Sequence, residues 1–83
     1  MRATVYVSLK NGVLDPQGQA IEGALAALGF DGINSVRQGK QFEIELQASS
    51  EAEARSQLDQ MCQQLLANTV IENYNVQIDL ETS

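Results

Sequence analysis

The 83 residues of this chain allow one domain, residues 1–83, whose core is close to the smallest that is stable alone, so self-association is expected. A formal charge of −6 argues against nucleic acid and anionic membrane as partners, because neither would gain from counterion release. The lone Cys62 excludes an internal disulfide.

The first predicted element is a strand. Apolar and polar residues alternate from residue 3 to residue 10, which is typical of a half-buried β-strand. No signal peptide precedes this pattern, and no apolar run approaches the roughly 20 residues that a membrane-spanning helix needs. We therefore expect a cytoplasmic protein without a membrane partner.

Residues 13–30 contain the start and end signals of a helix. Asp15 is suited to cap the N-terminus, and Pro16 suits the first helical position, where its missing N–H costs nothing. Gly29 provides the left-handed turn that ends a helix, and Phe30 can fold back onto the last turn. The predicted apolar stripe consists of Ile21, Ala24, Leu25 and Leu28.

Two glycines stand inside this short helix. Gly18 and Gly23 each cost about 1 kcal/mol relative to alanine. Glycine in such a place indicates the close approach of another backbone or helix, so we expect a packing reason at both positions.

Residues 33–47 admit two interpretations. The alternation from residue 41 to residue 47 predicts a strand, whereas residues 33–37 are only weakly β-compatible. Either the chain turns at Gly39 to form a hairpin, or one long strand bends there. A single strand would extend roughly 45 Å, so its overhang would need the edge of a partner. An unbroken strand keeps its two faces in phase, which favours the long bent strand.

Residues 49–68 predict a second helix. Ser50 followed by Glu53 fits a capping box, and Asn68 tolerates a terminal left-handed turn. Its apolar stripe consists of Ala54, Leu58, Met61, Cys62, Leu65 and Leu66.

The last strand is predicted by the alternation of residues 73–81, which includes Leu80, and Thr82 and Ser83 follow it as a frayed end. The element order is then β-α-β(β)-α-β. This order indicates an α+β fold with three or four antiparallel strands and both helices packed on the apolar face of the sheet. The long strand or hairpin near residues 33–47 is expected to be shared in a dimer.

Residues that could carry chemistry are few. The chain has no histidine, which removes the commonest general base and metal ligand. Cys62 lies on an apolar stripe, which indicates a buried structural thiol rather than a nucleophile. Arg37 and Lys40 flank Gly39 and could bind a phosphate or a partner's carboxylate, although a solvated turn is the simpler interpretation. We expect no catalytic residues and no metal or cofactor bound by this chain.

A set of short segments extends in order over nearly the whole chain. They are Val13-Leu14-Asp15-Pro16-Gln17-Gly18, Gly23-Ala24-Leu25, Leu28-Gly29-Phe30, Val36-Arg37-x-Gly39-Lys40 and residues 62–74. Together they resemble the PurS family, the small subunit of phosphoribosylformylglycinamidine (FGAM) synthase, also called formylglycinamide ribonucleotide amidotransferase. Asn11 and Thr69 stand where that family usually has proline, and Asn73 stands where an acidic residue is usual.

The resemblance implies an accessory role in de novo purine biosynthesis. The complete enzyme is expected to be a C–N ligase that uses ATP, Mg and glutamine, with the catalytic residues supplied by a glutaminase subunit and a synthetase subunit. The small subunit is expected to form a homodimer or a tetramer, to bridge those two subunits and to assist ammonia transfer. The alternative is a stand-alone dimeric module that binds a small regulatory molecule. A small enzyme is disfavoured by the absence of histidine.

The resemblance also carries contact roles onto particular residues. These are expected at subunit interfaces and not in catalysis. They are Leu14, Asp15, Pro16, Gln17, Gly18, Arg37, Gly39, Lys40, Asn68, Glu72 and Tyr74.

Overall fold

The computed structural model describes residues 1–79 as one antiparallel sheet with two helices. The elements in chain order are β1 (Arg2–Leu9), α1 (Pro16–Ala27), β2 (Gly39–Glu45), α2 (Glu51–Met61) and β3 (Glu72–Asp79). A π-helical turn, Cys62–Leu66, continues α2. The sheet order is β2-β1-β3. The predicted α+β class, the element order and the antiparallel pairing are confirmed.

The core lies between the sheet and α2. β1 is the central strand, and its Val5 pairs with Phe42 of β2 on one side and Val76 of β3 on the other. Both of these flanking residues are only half-buried. The almost fully buried apolar side chains come from β1 and from the helix above it: Ala3, Val5, Val7, Ala54, Leu58 and Cys62.

Both ends of α1 form as predicted. The Asp15 carboxylate caps the helix by accepting a hydrogen bond from the Gly18 N–H, and Pro16 is its first residue. At the other end Gly29 has a φ of 95°, and the N–H groups of Gly29 and Phe30 donate to the carbonyls of Ala26 and Leu25. These two bonds are the Schellman motif, which satisfies the last carbonyl groups of a helix.

The expected packing of both helices on the sheet is wrong for α1. In the described part of the chain α2 packs on β3, whereas α1 has no extensive packing against any strand. Its residues Ile21 and Leu28 are 40% and 74% exposed, and Phe30, just beyond its end, is 56% exposed. The helix is anchored at its start by bonds described below, and in the protomer its apolar stripe is left uncovered by the strands.

The second helix is capped by Ser50, as predicted. The Ser50 hydroxyl accepts from the Glu53 N–H at 3.1 Å. The Glu53 carboxylate accepts from the backbone N–H and the hydroxyl of Ser49, one residue earlier than the reciprocal bond of a capping box would reach.

The predicted stripe of α2 is correct except at Leu65, which is 82% exposed. The π-helical turn is the reason, since the Ala67 N–H donates to the Cys62 carbonyl five residues earlier. The wider turn changes the direction of the side chains that follow Cys62. Asn68 does not take the predicted left-handed conformation. Among residues 1–79 only glycines have positive φ.

Residues 30–38, called the arm below, have no regular secondary structure. β2 begins only at Gly39, so the protomer contains neither the continuous strand nor the hairpin predicted for residues 33–47. Gly39 pairs with Ser8, next to the end of β1. The arm therefore extends past the point where the protomer offers a strand to pair with. The last two residues of the predicted strand, Leu80 and Glu81, and the frayed residues Thr82 and Ser83 lie outside the described residues.

Candidate functional site

A cleft of about 400 Å³ lies at one end of the sheet. The strands are antiparallel, so the end of β1 lies beside the starts of β2 and β3, and α1 also begins here. The residues that line the cleft are Val7, Ser8, Leu9, Asp15, Pro16, Gln17, Gln38, Gly39, Lys40 and Glu72.

Asp15 joins two segments of the chain at this cleft. One carboxylate oxygen, Oδ1, accepts from the Gly18 N–H at 2.9 Å, and the other, Oδ2, accepts from the Gln38 N–H at 2.8 Å. Asp15 is only 6% exposed. The Gln38 and Gly18 N–H groups, with a smaller effect from the Arg37 guanidinium, hold the pKa of the Asp15 carboxyl below its usual value.

Arg37 binds the backbone on the outer side of the same junction. Its Nη1 donates to the Val13 carbonyl, and its Nη2 donates to the carbonyls of Leu9 and Lys10, all at 3.2 Å. The guanidinium thus links the arm to the end of β1 and to the turn that leads into α1. Both Nη atoms are occupied by bonds within the protomer.

Lys40 and Glu72 form an ion pair across the cleft. The Lys40 Nζ lies 3.4 Å from Glu72 Oε2, and the lysine side chain is 55% exposed while the glutamate is 12% exposed. The other oxygen, Glu72 Oε1, accepts from the Asn68 N–H at 2.7 Å. Glu72 therefore fixes the loop before β3, and Lys40 presents its remaining N–H donors toward solvent.

Two glycines let backbones approach closely beside the cleft. A Cβ at Gly39 would lie 2.7 Å from the Val7 carbonyl oxygen, and a Cβ at Gly18 would lie 2.7 Å from Asp15 Oδ2 and would also collide with the Val36 carbonyl. The packing role predicted for Gly18 is confirmed. The same prediction is wrong for Gly23, where nothing lies within 4 Å of the Cβ position.

The side chains of the cleft are suited to bind polar groups of a partner. Among residues 1–79 no group of three His, Cys, Asp or Glu side chains is placed to hold a metal ion. Cys62 is buried in the core away from the cleft, and burial raises the pKa of its thiol. No helix in the described part of the chain is long and apolar enough to cross a bilayer. The cleft offers an ammonium group, carboxylates and amide side chains for contact with a partner.

A family model described as "PurS: Phosphoribosylformylglycinamidine (FGAM) synthase" matches residues 2–80 of the chain. The chain belongs to the PurS family. This confirms the resemblance found in the sequence, and with it the assignment to FGAM synthase, a ligase of purine biosynthesis.

Individual relatives agree with this PurS assignment. The chain is 55% identical to the FGAM synthase subunit PurS of Synechocystis over 89% of this chain and 74% of that protein. The crystal structure of PurS from Methanocaldococcus jannaschii matches with a TM-score of 0.86 and 37% identity, over 94% of each chain. A chain in the structure of PurLQS from Thermotoga maritima matches with a TM-score of 0.84 and 30% identity, over 92% of this chain and 93% of that one.

The structure brings together most of the contact residues predicted from the PurS resemblance. The cleft is lined by Asp15, Pro16, Gln17, Gly39, Lys40 and Glu72. Gly18, Arg37 and Asn68 join it through their hydrogen bonds, and Leu14, 66% exposed, lies in the turn before α1.

Tyr74 lies elsewhere. Its hydroxyl donates to the Asp59 carboxylate of α2, and the Gln63 side chain donates to the same hydroxyl at 3.4 Å. The bond to Asp59 raises the pKa of the Tyr74 hydroxyl. Within residues 1–79 this side chain joins β3 to α2 and takes no part in the cleft.

Sequence reasoning missed Gln38, whose backbone N–H is the second partner of Asp15. Its position between Arg37 and Gly39, two residues already singled out, was the available signal. Ser8 was missed because the alternation of β1 gave it no role beyond the polar face of the sheet.

Proposed function

We propose that this chain is the small, non-catalytic subunit of FGAM synthase that joins the PurL and PurQ subunits in the cytoplasm. The observation that carries the proposal is the match to the chain in PurLQS from Thermotoga maritima over nearly the full length. In this role the chain assists the passage of ammonia from the glutaminase to the synthetase. ATP, Mg and glutamine are used by the complete enzyme, and its partners bind them.

Self-association is part of this proposal, and the size of the protomer supports it. The radius of gyration is 16.3 Å, whereas a compact domain of this length has about 12 Å. The accessible surface is 5936 Å², and a monomer of this mass typically exposes about 4,850 Å². The excess of about 1,100 Å² is close to the roughly 800 Å² that one partner buries in a standard interface.

The surface that a second copy covers consists of the arm and the apolar stripe of α1. Ile21, Leu28, Phe30 and Ile33 are all between 40% and 74% exposed. The β2 residues of the sheet's apolar face, Phe42 among them, are only half-buried, and β2 is the edge strand opposite to β3, on which α2 packs. We propose a homodimer in which the arm and α1 of each protomer cover this part of the other, and two dimers can associate further into a tetramer.

The cleft is proposed as the surface that meets the other subunits. Gln17 and Lys40 are among its exposed members, Leu14 is exposed in the turn before α1, and Lys40 presents a charge that is only partly neutralised by Glu72. Asn68 supports this surface from within the protomer through Glu72, whereas Tyr74 lies outside the cleft and joins β3 to α2.

Co-elution of the chain with purified PurL and PurQ tests the proposal. We expect one complex of the three proteins, and we expect Lys40→Ala to weaken its assembly about tenfold, as the loss of one interfacial charge pair does. Arg2→Ala is the matched control, because it removes the same charge at the opposite end of β1. A chain that elutes alone as a dimer with a bound metabolite would support the regulatory module instead.

A further inference from the structure

Two side chains cross the junction between the arm and the start of α1 in opposite directions. Asp15, at the start of α1, accepts from a backbone N–H of the arm, at Gln38. Arg37, in the arm, donates to the backbone carbonyls of Leu9, Lys10 and Val13 before α1. Each segment is thus held by a charged side chain of the other.

The two oxygens of Asp15 have separable roles. Oδ1 accepts from Gly18 and caps the helix, which a serine or threonine hydroxyl also does in many helices. Oδ2 reaches the arm, and only a side chain with a second acceptor at this distance can make both bonds. Helix capping alone therefore does not explain an aspartate here.

Arg37 likewise has a geometry that lysine lacks. Its two Nη atoms bind three carbonyl oxygens that belong to two different segments, the end of β1 and the turn before α1. The planar guanidinium makes such a fork without rearrangement, whereas an ammonium group is a single point charge on a flexible stem.

Backbone packing closes the junction. Gly18 has no Cβ where the Val36 carbonyl passes, so the arm lies directly against the first turn of α1. The arm has no strand beside it in the protomer, and these contacts at residues 36–38 fix the end at which it joins β2.

We propose that Asp15 and Arg37 are positioning residues that fix the direction in which the arm leaves the protomer, and so preset it to pair with a second copy of the chain. The proposal rests on the homodimer proposed above. It gives these two residues a role different from direct contact with a partner subunit, since Asp15 is 6% exposed and the Arg37 guanidinium donates three hydrogen bonds within the protomer.

The test uses two variants of the full chain, Asp15→Ser and Arg37→Lys. Asp15→Ser keeps an oxygen that can cap Gly18 but is too short to reach Gln38, and Arg37→Lys keeps the charge but loses the fork. Glu51→Ser and Arg2→Lys are the controls, because they make comparable changes at exposed residues outside both the junction and the arm. The measurements are hydrogen exchange of the Gln38 and Gly18 amides by NMR and the dimer dissociation constant by analytical ultracentrifugation.

We expect Asp15→Ser to accelerate exchange at Gln38 about tenfold while the Gly18 amide stays protected, and we expect both variants to raise the dissociation constant by a similar factor. The controls should leave both quantities unchanged. A wild-type dissociation constant in both variants would overturn the inference, and so would a weakened dimer whose Gln38 amide stays protected, because that result would make Asp15 a direct contact. If the wild-type chain is monomeric at all concentrations, the proposed homodimer itself fails, and the inference fails with it.

Discussion

Gly18 and Gly23 are both interior residues of α1, yet their surroundings differ. A Cβ at Gly18 would collide with the Val36 carbonyl and the Asp15 carboxylate, whereas the Cβ position at Gly23 is open. We expect Gly18→Ala to destabilise the chain in spite of the better helix propensity of alanine. We expect Gly23→Ala to stabilise it by about 0.5–1 kcal/mol. Urea denaturation measures both, and equal effects of the two substitutions would contradict the packing described here.

Asp15 makes stability depend on acid pH. Its pKa is lowered in the folded state by the Gln38 and Gly18 N–H groups, so its contribution is complete above the unfolded pKa of about 3.9. That contribution is lost as the pH falls through the lower folded pKa. We expect the unfolding free energies of the wild type and Asp15→Asn to differ at neutral pH and to converge in acid.

Denaturant titrations at several pH values check this expectation. Glu53, whose pKa is lowered by the hydroxyl and the backbone N–H of Ser49, is present in both proteins, so the difference between them isolates Asp15. A difference that stays constant down to the most acidic pH would contradict the assigned role.

At the scale of single residues, hydrogen bonds within one turn of the chain could be predicted, and hydrogen bonds between distant segments could not. The cap at Asp15 follows from residues 15–18 alone, because a cap bonds within one turn. The second bond of the same carboxylate joins residues 23 positions apart, and no local pattern encodes it. Gly18 and Gly23 look alike in the sequence because the carbonyl that lies beside Gly18 belongs to Val36, which is distant along the chain.

At the scale of elements, the π-helical turn after α2 divides the predicted apolar stripe. Leu58 is fully buried, whereas Leu65 is 82% exposed. We expect Leu58→Ala to cost about 2–5 kcal/mol of unfolding free energy, and Leu65→Gln to change it by less than about 0.5 kcal/mol. Thermal melts followed by circular dichroism distinguish them, and a large loss at Leu65 would mean that the helix continues as a regular α-helix.

The ends of the helices could be predicted better than the directions in which their side chains point. Start signals at Asp15 and Ser50 and the stop at Gly29 are local, and the structure has all three. The turn between Cys62 and Ala67 adds one residue to a helical repeat, and no local pattern of the sequence marks it. The arm was mistaken for a strand because its residues are weakly β-compatible, and in the protomer no strand lies beside them to pair with.

At the scale of the whole molecule, the protomer is 50 Å long and only 15 Å thick. This thickness has room for one layer of core, which lies between the sheet and α2. The fold class could be predicted from alternation and helical periodicity. The position of α1 could not, because an apolar stripe shows that a helix is covered and not which molecule covers it.

The exposed stripe of α1 gives a direct test of self-association. We expect Leu28→Glu to dissociate the dimer and leave the protomer folded, because Leu28 is 74% exposed in the protomer and a buried charge in the dimer would be costly. Leu65→Glu is the matched control, at a leucine that is 82% exposed in the π-helical turn, outside α1 and the arm. Light scattering measures the mass of each variant. A dimer that survives Leu28→Glu would place the interface elsewhere.

The proposed bridging role is tested most directly by FGAM synthesis by PurL and PurQ with and without this chain, using glutamine or ammonia as the nitrogen source. We predict that glutamine-dependent synthesis requires the chain and that ammonia-dependent synthesis by PurL does not, because in the proposed role the chain joins two active sites and supplies neither. Full glutamine-dependent turnover in its absence would contradict the bridging role.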